Sequence, residues 1–302
     1  MAPGQKLIAV AAIGAILCYF SEMLFWSAPP EGSSAAGLGL TWGFYAFAGW
    51  GALVAASWSG PAGLFGLFLA GSLMGWIVEG VAVDEMYAAL PFSLIWTPMA
   101  WHALVSGICG LWLVRASARW SVTAQLALLA GLGAAAGLWA LYWPLERAAL
   151  PGPGPVLAWL AGLGLAVPLA NMALDRLPPA YPFSPREAQA AAGLIAALWA
   201  LKLALLRIPA LFAFPAVVVA ALWLMRRLGG GPAPVLLPAR PVHSARHLAF
   251  LLLPVTAGAV ALSGWRRWPD GVETNAAFAI VLSAAAGTLT AAALWRGLRK
   301  PA

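Results

Sequence analysis

Residues 71–110 read GSLMGWIVEGVAVDEMYAALPFSLIWTPMAWHALVSGICG, and they place a glutamate, a histidine and three tryptophans in an otherwise strongly apolar sequence. An ionisable side chain at membrane depth is costly, so it is a functional-site hypothesis by default. The two such groups in this stretch are Glu79 and His102. We expect the rest of the chain to hold this stretch inside a membrane.

The composition of the whole chain indicates a polytopic membrane protein. Its 302 residues are 63% hydrophobic and 9% charged, with a mean hydropathy of +0.86, well above the apolar share of soluble domains. Apolar runs of about 20 residues recur from end to end, and each can cross a hydrocarbon core of about 30 Å. We therefore predict an all-α helix bundle, with residues 1–302 forming a single membrane domain.

Ten membrane-spanning helices are predicted, and nine is the alternative. Prolines and glycines separate most of them, but the boundary at Arg207-Ile208-Pro209 is weak, and the seventh and eighth spans merge there in the nine-span alternative. The predicted spans are 6–26, 38–58, 62–82, 98–116, 122–144, 155–174, 188–208, 210–228, 247–265 and 274–296.

The Pro/Gly-rich link at 151–155 suggests a division of the domain into halves 1–150 and 155–302. Two five-helix halves would be inverted relative to each other, an arrangement common among transporters. We find no sequence match between the halves, so the internal repeat is a conjecture.

Basic residues predict the orientation in the membrane. The chain has 17 Lys and Arg against 10 Asp and Glu, a net charge of +7, but the basic residues occur singly or in pairs at span ends. This pattern indicates topology signals and contacts with lipid headgroups, and it excludes nucleic acid as a partner. With the N-terminus inside, the acids Asp175 and Glu187 share the inner face with most of the basic residues: Lys6, Arg115, Arg119, Arg176, Arg186, Arg226, Arg227, Arg240, Arg246, Arg296, Arg299 and Lys300. The positive-inside rule then predicts a multi-pass protein of the cell inner (plasma) membrane, with both termini cytoplasmic.

Small residues indicate which way the ionisable groups face. On a helix, residues four apart are neighbours, so Glu79 lies over Gly75 and Gly71, which form a GxxxG motif. Glu22 and His102 also have small residues four and eight positions away. Because such faces mark close helix packing in membranes, we predict that Glu22, Glu79 and His102 point into the bundle and meet near the outer leaflet.

The sequence before His102 predicts a cover over this site. Thr97-Pro98 reads as an N-cap followed by proline at the first helical position. Residues 86–96 are then too short to span and are expected to lie at the membrane surface. They either close over the site as a lid or only cover the ends of neighbouring helices.

The chemistry of a buried Glu/His pair suggests three functions. Desolvation and a nearby opposite charge act in opposite directions on such groups, so the pair can exchange protons near neutral pH. We expect first a proton-linked transporter of a small or amphipathic molecule. The alternatives are a membrane-embedded enzyme using the pair as acid and base on a lipid or isoprenoid, and a non-catalytic subunit of a membrane complex or homo-oligomer.

These functions make different demands on the sequence. Transport requires a polar route to the cytoplasmic side, which the sequence hardly provides beyond Ser106. In either active function the catalytic set is Glu79, His102 and Glu22, and four aromatic residues are expected to line the substrate pocket: Trp76, Trp96, Trp101 and Tyr87. One histidine with two glutamates is a weak metal signature, so no metal is predicted, and the sequence indicates no particular cofactor.

The remaining polar residues are given structural interpretations. His243 and His247, at the end of an irregular loop over 229–246, are interpreted as a solvated interfacial patch rather than a metal pair. Asp84 and Glu85 are interpreted as solvated loop acids. Asn171 is expected to make helix-packing hydrogen bonds.

Overall fold

The computed structural model describes residues 1–60, 63–178, 181–230 and 242–300. Within these ranges the chain is all-helical, without strands, and ten helices are long and apolar enough to cross a membrane. They are α1 Pro3–Trp26, α2 Ala35–Ser59, α3 Gly63–Ala82, α4 Phe92–Ser117, α5 Val122–Glu146, α6 Pro153–Leu174, α7 Pro185–Leu206, α8 Pro209–Leu228, α9 Ser244–Arg267 and α10 Asn275–Arg299. The prediction of an all-α, multi-pass membrane bundle with ten spans is confirmed. The predicted loop over 229–246 lies largely outside the described residues.

Local sequence explains where several helices begin and end. The Ser34 and Ser121 hydroxyls accept hydrogen bonds from backbone N–H groups in the first turns of α2 and α5, as N-caps do. Helix α7 ends at Leu206 because Arg207 adopts a left-handed conformation, with φ of 55°. Pro209 then begins α8, a position where its missing N–H costs nothing. The seventh and eighth spans are therefore separate helices.

The predicted start of α4 at Thr97-Pro98 is wrong, because the helix already begins at Phe92. Thr97 lies inside the helical part Trp96–Val114. Pro98 is tolerated there because the N–H groups of a first helical turn have no partner within the helix. Pro98 therefore indicated the first turn of the segment Trp96–Val114 but not the first residue of α4.

Within the described ranges, four segments of the bundle are wound more widely than an α-helix. They carry i→i+5 backbone hydrogen bonds, such as Ala100 N–H to Ile95 O at 2.8 Å. Such wide turns are rare and occur frequently at functional sites. The segments are Tyr19–Met23, Val78–Ala82, Trp96–Val114 and Ala158–Gly162. The first three contain the predicted site residues Glu22, Glu79 and His102.

Glycines bring α3 and α4 into close contact. A Cβ atom on Gly75 would lie 2.4 Å from the Pro98 carbonyl oxygen, and one on Gly71 would lie 2.9 Å from Ala103 Cα. The GxxxG face of α3 therefore packs against α4, as expected from its spacing. By contrast, α7 and α10 lie at the edge of the bundle, and Ala191 is the one buried residue of α7 in the described chain.

The bundle has two ends, which we call the terminal end and the distal end. The terminal end holds the start of α1 and the end of α10, and the distal end holds the loops after α1 and α3. Helices from the two predicted halves pack against each other, α1 on α6 and α5 on α9. The two-half organisation itself stays a prediction.

Candidate functional site

Glu79 on α3 and His102 on α4 are in direct contact. His102 Nε2 lies 2.6 Å from Glu79 Oε1, and the two residues are only 3% and 7% exposed. A charge-assisted hydrogen bond of this kind is short and strong. The structure thus brings together the two residues around which the sequence prediction was made.

Ser21 on α1 completes the contacts of the imidazole. Its hydroxyl lies 2.9 Å from His102 Nδ1 and 2.7 Å from the Ser106 hydroxyl. Because both ring nitrogens are engaged, the ring is fixed in orientation, whichever tautomer it adopts. Sequence reasoning missed Ser21, although a buried serine next to Glu22 in an apolar span was a signal.

Glu22 does not contact Glu79 or His102 directly. Its carboxylate accepts hydrogen bonds from the Tyr45 hydroxyl at 2.7 Å and from Trp26 Nε1 at 3.0 Å. Tyr45, on α2, contacts Glu22 and also lies close to His102. Its ring centroid is 5.9 Å from that of His102.

One carboxylate oxygen of the pair is left without a partner. Glu79 Oε2 is buried and accepts no hydrogen bond from any described residue. A buried unsatisfied acceptor costs about 1–3 kcal/mol, more when charged. Oε2 is therefore the atom of the pair that can accept a further hydrogen bond. Among the described residues no group of three His, Cys, Asp or Glu is placed to hold a metal ion.

The four predicted pocket aromatics make other contacts. The Trp76 indole donates to Leu94 O at 3.0 Å, and the Tyr87 hydroxyl donates to Gly80 O at 2.8 Å. Trp96 and Trp101 pack on Trp139, with ring centroids 5.9 and 5.0 Å away. Within the described chain none of the four hydrogen-bonds to the Glu79–His102 pair, so their role in a substrate pocket stays a prediction.

Two clefts lie near the pair without including it in their described lining. One, of about 260 Å³ at the distal end, is lined by Glu22, Glu31 and the serines of the loop after α1. The other, of about 410 Å³, is almost entirely apolar and lies between α2, α3, α7 and α8, with Ile77 and Trp199 in its wall.

A second buried polar cluster, which sequence reasoning did not predict, closes the terminal end. The Asp175 carboxylate accepts from Arg115 Nη2 at 2.6 Å and lies 2.8 Å from His247 Nε2, while Arg115 also donates to Asn171 Oδ1 at 2.7 Å. The interpretation of His247 as a solvated residue is wrong, because His247 and Arg115 are each only 1% exposed. His247 lies near the start of α9 and is buried there against Asp175 of the α6 end.

Electrostatics at Asp175 favour the charged carboxylate. Burial by itself raises the pKa of this carboxyl, but the Val242 N–H, His247 and Arg115 outweigh burial and hold the pKa below its usual range. The Asp175 carboxylate therefore stays negatively charged at neutral pH. It ties α4, α6 and α9 together.

Two further ion pairs join helices at opposite ends. Glu187 at the start of α7 binds Lys6 of α1. At the distal end, Lys202 donates to Asp84 Oδ1 and Val83 O, both at 2.6 Å, so Asp84 is paired although its side chain is 61% exposed. Burial and the Asp84 charge raise the pKa of Tyr87 to about 12.

Comparison of the chain with protein-family models, with curated proteins and with solved structures finds no match. Its function is therefore argued from the site itself.

Proposed function

We propose that the protein is a proton-linked transporter of a small or amphipathic molecule, in which Glu79 and His102 bind and release the coupling proton. The observation that carries this proposal is the 2.6 Å contact between their side chains inside the membrane domain. Ionisable residues in membrane helices commonly mark proton relays and substrate pathways.

A proton on this pair changes the forces between helices. With one proton shared, the pair has no net charge, and loss of that proton leaves one uncompensated negative charge in a poorly polarisable interior. Such a charge interacts far more strongly there than in water. Since Glu79 is on α3 and His102 on α4, proton loss changes the interaction that joins these helices. A proton can therefore shift the balance between two arrangements of the bundle.

A closed site suits one state of a carrier. Transporters alternate between states that open to opposite sides, and a buried pair belongs to a state in which the site is closed. The apolar cleft of about 410 Å³ has Ile77 in its wall, two positions before Glu79 on α3. Its lining suits the hydrocarbon part of an amphipathic substrate, and we propose it as the substrate-binding region.

The proposed orientation follows the distribution of Lys and Arg. With both termini in the cytoplasm, the terminal end faces inward. The cleft at Glu22 then opens to the outside, and protons reach the pair from there.

A membrane-embedded enzyme using the same pair as acid and base is the second candidate. It requires substrate within hydrogen-bond reach of Glu79 or His102, and neither side chain lines the described clefts. A non-catalytic subunit of a membrane complex, by contrast, would not require the Glu79–His102 pair to bind or release a proton.

The experiment is proton flux in proteoliposomes with a pH indicator inside. A panel of amphipathic amines and carboxylates is added outside. We expect at least one compound to move together with protons in the wild type, and Glu79→Gln and His102→Gln to lose that coupled flux. Glu85→Gln, which removes an exposed distal acid, is the matched control and should behave as the wild type. Coupled flux that survives in both pair variants would contradict the proposal, and chemical conversion of added lipid would favour the enzyme.

A further inference from the structure

We infer that Tyr45 and Ser21 carry protons between Glu22 at the distal cleft and the buried Glu79–His102 pair. This inference rests on the proposed function only in requiring that the pair bind a proton. It assigns a role to two residues that have none in the transport proposal, and it gives Glu22 a role at the start of the route.

The groups of this route lie side by side on four helices, α1 to α4. Glu22 Oε1 is 2.7 Å from the Tyr45 hydroxyl, and the Tyr45 ring centroid is 5.9 Å from that of His102. Ser21 Oγ is 2.9 Å from His102 Nδ1. His102 Nε2 is 2.6 Å from Glu79 Oε1. Three of the four steps are hydrogen bonds in the structure, and we infer the step from Tyr45 to Ser21 from the position of both residues beside His102.

Burial makes the side chains themselves the carriers. Tyr45 is 2% exposed and Ser21 4%, so bulk water does not reach the middle of the chain. Glu22, by contrast, is only partly buried and lines the distal cleft of about 260 Å³. A cleft of that size holds water, and water can deliver protons to the Glu22 carboxylate.

Every group in the chain can both accept and donate a proton. A hydroxyl has one O–H and two acceptor lone pairs, and an imidazole has one nitrogen of each kind when neutral. A proton on Glu22 passes to the Tyr45 oxygen as Tyr45 gives its own proton to Ser21. Ser21 gives its proton to His102 Nδ1, and Nε2–H passes to Glu79 Oε1. One proton leaves Glu22 and one arrives at Glu79, while the three intermediates regain what they gave.

Ser106 positions the serine in this chain. Its hydroxyl lies 2.7 Å from Ser21 Oγ, and it is fully buried. Ser106 is thus a positioning residue for Ser21 and is not itself on the route from the cleft.

The experiment separates the rate of proton uptake from its extent. Purified protein in detergent is jumped to low pH, and protonation of Glu79 is followed by time-resolved infrared absorption of its carboxyl group, assigned with Glu79→Gln. We expect Tyr45→Phe to slow protonation on the order of 100-fold, within the range that a positioned proton-transfer group contributes. The final amplitude should equal that of the wild type, because the pair itself is intact.

A matched tyrosine controls for the loss of a buried hydroxyl. Tyr19 on α1 is 2% exposed, as Tyr45 is, but it donates to Leu160 O at 2.9 Å and is not part of the route. Tyr19→Phe should keep the wild-type rate, and Ser21→Ala should be slow like Tyr45→Phe. Equal rates in wild type and Tyr45→Phe with a normal amplitude would overturn the relay and leave the transport proposal standing. Absence of any Glu79 protonation in the wild type would overturn both.

Discussion

His102 lies near the middle of α4 and Arg115 near its end, and each is held in a buried polar cluster. His102 connects α4 to α1 and α3 through Ser21 and Glu79. Arg115 connects α4 to α6 through Asp175, which in turn holds His247 of α9. Polar contacts in the middle and at the end of α4 therefore connect it to four other helices.

Removing Asp175 should destabilise the bundle strongly. Asp175→Ala leaves the Arg115 guanidinium buried without its carboxylate, and breaking a buried ion pair in this way costs about 3–5 kcal/mol. The measurement is the free energy of unfolding in mixed detergent and denaturant. Asp270→Asn, at an exposed distal acid, is the control and should change little.

A double variant tests whether the cost comes from the stranded charge. Arg115→Met combined with Asp175→Leu removes both charges, and apolar replacement of a buried pair is often close to neutral. We expect it to unfold less easily than Asp175→Ala alone. If the double variant is the less stable of the two, the cost does not come from the unpaired guanidinium.

Stability should depend on acid pH through the same residue. The pKa of Asp175 is lowered in the folded protein, so its stabilising contribution is complete above the ordinary carboxyl pKa of about 3.9 and is lost as the pH falls through the lower folded value. The free-energy difference between wild type and Asp175→Asn should therefore be largest near neutral pH and shrink below about pH 4. A constant difference over the acid range would contradict this assignment.

Close packing of α3 on α4 should make Gly75 sensitive to a single methyl group. A Cβ there meets the Pro98 carbonyl oxygen at 2.4 Å, and such overpacking costs about 1–3 kcal/mol. The backbones must separate one turn from Glu79, so Gly75→Ala should also weaken proton binding by the pair. Gly193→Ala, on exposed α7 with nothing within 4 Å, is the control and should be neutral or stabilise by up to about 1 kcal/mol. Thermal unfolding of both variants makes the comparison, and similar destabilisation by both would count against the close approach.

The distal ion pair should contribute little by comparison. Asp84 is 61% exposed, although Lys202 is mostly covered, and pairs with one solvated partner couple weakly. A double-mutant cycle with Lys202→Met and Asp84→Asn should give a coupling of at most about 1 kcal/mol, falling with added salt. A coupling as large as that of a buried pair would mean that the segment 83–88 shields it from water.

The spans and the Glu79–His102 pair could be predicted from the sequence for clear physical reasons. Apolar runs of bilayer length leave little choice of secondary structure. The GxxxG motif of Gly71 and Gly75 predicted close packing of α3 on another helix, and that helix is α4. Two ionisable side chains beside such a helix contact avoid lipid best by facing each other.

The relay residues could not be found by helical spacing. Ser21 lies in the wide turn Tyr19–Met23, where side-chain directions depart from those of an α-helix. The sequence prediction chose Glu22 because it is charged, but the residue that contacts His102 is its neighbour Ser21. Tyr45 belongs to an apolar span whose sequence shows no mark of contact with either acid.

The terminal cluster was missed for a different reason. Arg115 was read as a topology signal, which basic residues at span ends usually are. Yet Asp175 and Glu187 were the two acids predicted on a strongly basic face, and both are ion-paired across helices. A rare acid on such a face is the signal that sequence reasoning had available.

The Arg115–Asp175–His247 cluster also has a consequence for biosynthesis. Arg115 is made 60 residues before Asp175, and Asp175 is made 72 residues before His247. Glu79 and His102 are only 23 residues apart, on consecutive helices. During insertion the Glu79–His102 pair can therefore form as soon as one helical hairpin has entered the membrane, whereas Arg115 must wait at the membrane surface for α6 and then α9. Truncated nascent chains would be expected to gain protease resistance at the Glu79–His102 region first. The terminal cluster would become resistant only in chains long enough to include α9.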